Sequence, residues 1–365
     1  MDLTRRTLVK ATAGVVATGG IAGCLDDVSS ADVGLDSGYA AFFTLWDWAE
    51  QVSGDEIEFE NPVGTGEAGH GWSPSGDLTR EIADSGAFIY LDTPEFSWAQ
   101  DIAATLESDY DAVAVIDGLE GLDDQLLGWD HEVDTAEHDH EEDDHSHDDD
   151  HSHENDSHDD HDHDDDHNHE NDSHDDHDHD ESSADPHVWL DPVLAQDIVD
   201  TIATGLADAD PDNADTYEEN AAAYRSELES LDERFEELVA DADQQTVVFA
   251  GHDSFTYLQD RYGFEIHTPI GVSPQEDVSS SAISETIDLV DEEGIDTVLY
   301  DPFEAPEGQY PPLVETLLES SAATDAMELT HMSGTLSTWA DNDWGYREQM
   351  EEINLPAFRE ALNAQ

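Results

Sequence analysis

Residues Ala184 to Pro192 read ADPHVWLDP. A carboxylate, a proline and a histidine come first, then an aromatic, then a second Asp-Pro. The most extreme composition of the chain lies immediately before this stretch, and ordinary helical periodicity resumes immediately after it. Taken alone, such a histidine is most often structural or solvated. His187 becomes a candidate metal ligand because the flanking chain offers further histidines and a carboxylate at comparable places.

Upstream, between His131 and Ser183, lie fifteen of the twenty histidines and 26 of the 94 acidic residues. HSHENDSHDDHDHDDD (151–166) is followed by its near copy HNHENDSHDDHDHDES (167–182). With almost no apolar side chain, this tract cannot offset the entropy of ordering and is expected to be disordered. Imidazole suits zinc, copper and nickel, so the tract is expected to gather transition metal weakly. The plainer alternative is a low-complexity expansion that only solubilises.

Further upstream, 37–130 reads as an α/β lobe. Ala40 to Leu45 is an apolar run that Trp46 to Val52 continues in a helical pattern, and Ile57 to Val63 alternates like a strand. A glycine-rich loop, GTGEAGHGWSPSGD (64–77), follows with His70 near its middle, and Asp77 is a plausible helix cap. AFIYL (87–91) and DAVAVI (111–116) read as strands around a helix over 96–106. His70 is not on an apolar face, which weakens a core role and leaves a solvated loop histidine as the rival. Loops at the carboxyl ends of strands line the ligand crevice in such lobes.

Downstream, 184–211 completes that lobe, with a helix over 193–206 and a turn at Asp210-Pro211. A linking helix over 212–244 carries an apolar stripe of Tyr217, Tyr224, Leu228, Leu231, Phe235 and Leu238. Its helical core, to Ala240, spans roughly 40 Å at 1.5 Å per residue, which makes it a strut and predicts small closure motions. The second lobe, 245–365, repeats the pattern. Strands are predicted over 246–250, 264–268, 296–300 and 326–330, with helices over 254–261, 280–293, 309–320 and 343–363. The fold class is therefore α/β, with two lobes, each a four-stranded, mostly parallel sheet with flanking helices.

Two strand ends stand out. TVVFA leads into GHDSFTYLQDRYGFE, which puts His252 just after a strand, and DTVLY leads into DPFEAPEGQ, which does the same for Asp301. Either could be a helix cap or plain turn chemistry. His267 lies inside a strand and His331 just after one. Both are assigned to structure.

The formal net charge is -85, with nine basic residues in all and Lys10 the only lysine. Nucleic acid is excluded as a natural partner, because a phosphate backbone needs Lys and Arg to meet it. An acidic excess spread over the folded parts resembles proteins of salt-loving archaea, since carboxylate repulsion is tolerable when about 1 M salt shortens the Debye length to roughly 3 Å. One cysteine, Cys24, precludes an internal disulfide. Arg5-Arg6 before a mild apolar run resembles a twin-arginine export signal over 1–23, and IAGC (21–24) resembles a lipoprotein processing box. That implies a lipid on Cys24, a tether over 24–36, and anchoring to the outer face of the cell membrane.

Together the motifs resemble the metal-binding subunits of bacterial and archaeal ABC importers for zinc and manganese, the cluster A-I family, from about residue 40 to the C-terminus. AFFTLWDWA looks like its first strand and helix, and AGHGWSPSGDLTREI its first ligand loop. ADPHVWLDP, GHDSFTYLQDRYGFE with GVSPQEDVS after it, and YDPFEAP resemble its later segments. The first motif departs from the pattern, with Ala68-Gly69 in place of Asp-Pro. The resemblance implies a monomer that binds Zn²⁺ through His70, His187, His252 and Asp301 and serves permease and ATPase subunits. Three imidazoles and a carboxylate suit tetrahedral zinc. His252 at the third position favours zinc over manganese, the alternative cargo. A zinc hydrolase would need a general base, for which Asp253 and Glu304 are the candidates by proximity. A secreted metal buffer or adhesin is the other alternative. No phosphate-binding GxxxxGK[ST] loop is present, so ATP hydrolysis is expected to belong elsewhere.

Overall fold

A computed structural model describes residues 35–69, 71–128, 184–270, 278–306 and 308–364. The export signal, Cys24, most of the tether, His70, the histidine tract and most of GVSPQEDVS lie outside the described residues.

Two sheets organise the chain. In the first, β1 (Ser37–Ala40), β2 (Glu58–Glu60), β3 (Ala87–Tyr90) and β4 (Ala114–Asp117) lie in the order β2-β1-β3-β4. In the second, β5 (Thr246–Ala250), β6 (Glu265–His267), β7 (Thr297–Tyr300) and β8 (Asp325–Glu328) lie in the order β6-β5-β7-β8. All of these pairings are parallel, and the two orders are the same pattern used twice. Parallel strands need crossover connections, and helices supply them: α1 (Phe43–Ser53), α2 (Leu78–Ala83) and α3 (Ser97–Asp109) in the first half. β3 and β7 are buried along their whole length, as strands covered on both faces should be.

Two helices join the halves. α4 (Pro192–Ala209) starts cleanly because Pro192 sits in its first turn and Asp191 accepts from Val193 N and Leu194 N. Arg261 holds the other Asp191 oxygen at 2.5 Å. α5 (Ala214–Ala240) buries Tyr217, Tyr224, Leu228, Leu231, Phe235 and Leu238, the stripe read from the sequence. It packs on α1 and α4 of the first half, and on α6 (Thr256–Tyr262) and α11 (Leu355–Ala361) of the second. One apolar core runs from Trp48 and Phe88 through α5 to Phe255 and Phe358. A second core lies on the other side of the second sheet, around Val248, Val298 and Val314.

Three expectations need correction. The first helix begins at Phe43, so Phe43–Leu45 are helical and the strand before them ends at Ala40. Asp77 precedes α2 but makes no capping bond, and it pairs with Arg80 instead. The last helix is not continuous. α10 (Tyr346–Gln349) passes into a π-helical turn (Met350–Asn354) before α11. Pro356, in the first turn of α11, has no N–H and its ring crowds the carbonyl four residues back, so the helix widens there. Between α6 and α10 lie α7 (Ser280–Glu293), α8 (Pro312–Ser320) and α9 (Ser337–Asp341).

A buried carboxylate ties these elements together. Asp47 of α1 accepts from Tyr346 N at 2.9 Å and Tyr224 OH at 3.4 Å. Burial pushes its carboxyl up to about 6, against the lowering effect of those bonds. An unfolded aspartate titrates near about 3.9. The folded chain therefore holds the extra proton between those values, and stability falls as pH rises through that window. Asp47→Asn, whose amide oxygen still accepts from Tyr346, should raise stability at pH 8 by on the order of 2 kcal/mol and by much less at pH 4. Denaturant melts at the two pH values would read the difference; an equal effect at both would reject this account.

Candidate metal centre

His187 lies in a 3-10 turn (His187–Leu190) directly before α4. Its backbone N–H and its Nδ1 both meet Asp185 Oδ1, at 2.9 and 2.8 Å. Asp185 is itself placed by a bond from its N–H to the Leu127 carbonyl and by Tyr257 OH on its own carbonyl. Burial raises the Asp185 carboxyl, but the His187 charge and the bonds from His187 and Thr256 outweigh it and hold it below the usual range. With Asp185 ionised, the neutral, metal-binding form of His187 keeps its proton on Nδ1. Nε2 is then the atom offered to a metal, and it is buried.

His252 follows β5 and Asp301 follows β7, both at the carboxyl ends of parallel strands. The rings of His187 and His252 are 5.5 Å apart, although they come from different halves of the chain. Asp301 does cap a turn, as its setting suggested: its Oδ1 accepts from Phe303 N at 2.9 Å. Its Oδ2 lies 3.2 Å from His331 Nε2. Burial raises the Asp301 carboxyl, and the nearby His331 and His252 outweigh it, so the net shift is downward.

His331 is the residue the sequence reading placed elsewhere. It follows β8, is fully buried, and its ring lies 5.3 Å from that of His252. Its Nδ1 accepts from Ser333 N at 3.2 Å, so in the neutral ring Nε2 carries the proton and faces Asp301 Oδ2. The available signal was positional. His331 stands after a strand of the second sheet as His252 and Asp301 do. His267, by contrast, turns to Thr286 Oγ1 at 2.9 Å, away from this group.

Glu304 completes the cluster. One ligand atom from each of His252, Asp301 and Glu304 lies within 4.8 Å of the others. Desolvation, and then the Asp301 charge, push the Glu304 carboxyl upward, and its exposure to solvent screens both effects. Asp253 is pushed up to about 6 by burial and then by Asp185.

His70 lies outside the described residues, but its neighbours are fixed. Gly69 N donates to both the carbonyl and the hydroxyl of Ser333, each at 3.1 Å, and Gly66 N donates to the Thr335 carbonyl. The approach is close: a Cβ on Gly334 would fall 2.1 Å from the Glu67 carbonyl oxygen. Trp189 Nε1 donates to the His331 carbonyl and Thr44 Oγ1 to that of Met332. The loop after β8 is thus stitched to the first half beside the metal-ligating candidates.

The family described as the periplasmic zinc-uptake complex component A matches residues 39–361. The zinc-binding lipoprotein AdcA of Streptococcus pneumoniae is 28% identical over 249 residues, covering 68% of this chain and 42% of its own length. The high-affinity zinc uptake system protein ZnuA of Bacillus subtilis is 28% identical over 178 residues, 49% of this chain and 53% of its own. The chain thus spans about half the length of the curated relatives it matches. Among solved structures, the Zn(II)-bound ZnuA-like domain of Streptococcus pneumoniae AdcA matches with a TM-score of 0.65 at 24% identity, covering 90% of this chain and all of that one. The laminin-binding protein of Streptococcus agalactiae, described as both adhesin and metal transporter, gives 0.62 at 21%, covering 88% and 99%. These likenesses establish the two-lobe fold.

Proposed function

Because the chain belongs to the zinc-uptake complex component A family, we propose that it captures Zn²⁺ outside the cytoplasm and delivers it to the permease of an ABC-type importer. The observation that carries this reading is the meeting of buried His187 and His252, from opposite halves of the chain, beside buried Asp301. His70, His187, His252 and Asp301 are the proposed ligands. Neutral imidazole and ionised carboxylate form a borderline-soft donor set that suits zinc over manganese. The Asp185 contact supports this by presenting His187 Nε2.

The chain acts, in this reading, as a monomeric carrier and not as an enzyme; the ATPase is a separate subunit. A lipid on Cys24 would hold it at the outer face of the membrane, and Cys24→Ser should then release it from the detergent phase on partitioning. The histidine tract would collect metal for the cleft. The dispersed acidity fits work in molar salt.

Thermal unfolding separates the cleft from the tract. Only a ligand bound to the folded state stabilises it, by about 2.7 kcal/mol at a hundredfold excess over Kd. Zinc should therefore raise Tm and manganese should raise it less, and the metal-free protein should melt higher in molar KCl than in dilute buffer. Zinc bound without any rise in Tm would place it on the tract and contradict the reading.

A further inference from the structure

Within the capture reading, on which this inference rests, we propose that Glu304 is the transfer ligand through which the ion enters and leaves the cleft. The carboxylate joins His252 and Asp301 in a group that one ion can touch at once. The three differ in access. His252 and Asp301 are 1% and 3% exposed, whereas Glu304 faces solvent. They also differ in freedom. Both oxygens of Asp301 are engaged, by Phe303 N and His331 Nε2. No hydrogen bond or ion pair holds the Glu304 carboxylate among the described residues.

The local chain explains the arrangement. Asp301 caps a short 3-10 turn that Pro302 begins and Glu304 ends. The same turn therefore buries one carboxylate and leaves the other exposed, on a longer side chain that no described residue holds. A hydrated ion exchanges water for such a carboxylate before it can reach the buried imidazoles. By microscopic reversibility, the same group assists departure. A ligand used only in passage changes both rates by one factor and leaves the affinity alone. A resident ligand changes the affinity.

The experiment uses the full chain in molar salt with Zn²⁺ alone as probe. Stopped-flow tryptophan emission reports the cleft, because the Trp189 ring lies 5.2 Å from that of His187. His252→Ala provides the blank for metal held by the tract. In Glu304→Gln and Glu304→Ala, the association rate and the chelator-driven dissociation rate should both fall about tenfold or more, with Kd within about threefold of the parent. Glu315→Gln, an exposed acid elsewhere, should change neither rate, since one charge among so many adds little steering in high salt. A weakened Kd with an unchanged association rate would make Glu304 a resident ligand and overturn the proposal. So would unchanged rates, or an equal fall in Glu315→Gln. If the parent protein gives no zinc-dependent signal beyond the His252→Ala blank, the capture reading itself fails and the transfer role with it.

Discussion

Trp189→Ala should lower the stability of the metal-free protein by about 3–5 kcal/mol, the range for removing a large buried aromatic. Trp189 is fully buried between the halves of the chain. Its ring lies 4.9 Å from that of Phe42 and 5.8 Å from that of Phe96, which stack on one another. Its indole N–H meets the His331 carbonyl at 2.8 Å, and its own carbonyl accepts from Tyr346 OH at 2.7 Å. Truncation would open a cavity and strand a buried carbonyl, and both effects destabilise. The loop carrying His331 would lose a tether, so zinc affinity should fall as well. Trp189→Phe, which keeps most of the ring volume but not the N–H, should lose less stability. Denaturant midpoints in molar salt would measure both variants; a cost below about 1 kcal/mol for the alanine variant would show that the seam is not held here.

The second large effect is on binding. Asp185→Ala should weaken zinc binding about 10–100-fold, the usual cost of removing the carboxylate behind a ligating imidazole. Without Asp185, the contact that fixes the proton of His187 on Nδ1 is lost, and the ring is less well oriented. Asp185→Asn should be milder, because an amide oxygen still accepts from Nδ1. The ordering of the two variants is the informative part. If asparagine is as damaging as alanine, the negative charge matters and the tautomer does not. If neither variant changes affinity, His187 is not a ligand.

Much of this architecture was legible from residue pattern. Strands such as AFIYL and TVVFA are short apolar runs bounded by turn residues, and α5 shows its buried face through a stripe at helical spacing. His252 and Asp301 were legible for a different reason: each follows a strand directly, where parallel sheets place their ligand loops. What escaped depended on contacts distant in sequence. His331 gains its place from Asp301, thirty positions earlier, and from the stitching of its loop to Gly69 and Trp189. Periodicity cannot encode such contacts. Asp77 failed as a cap because its side chain found Arg80 instead. The widened turn before α11 did have a local cause, Pro356, which the apolar pattern of the last helix obscured. The contribution of Glu304 to the cluster follows from the tightness of one 3-10 turn, a backbone detail that composition does not carry.

The central claim is that one tight cleft built on His252 takes zinc in preference to manganese. It is tested most directly by competing the two ions for the full chain in molar salt, with bound metal counted per chain, and repeating the titration on His252→Ala. The account predicts one zinc site far tighter than the rest, preference for zinc over manganese at that site, and its loss in the variant by about a hundredfold or more, with the weaker sites of the histidine tract unchanged. A tight site that survives His252→Ala, or a titration showing weak sites alone, would contradict it.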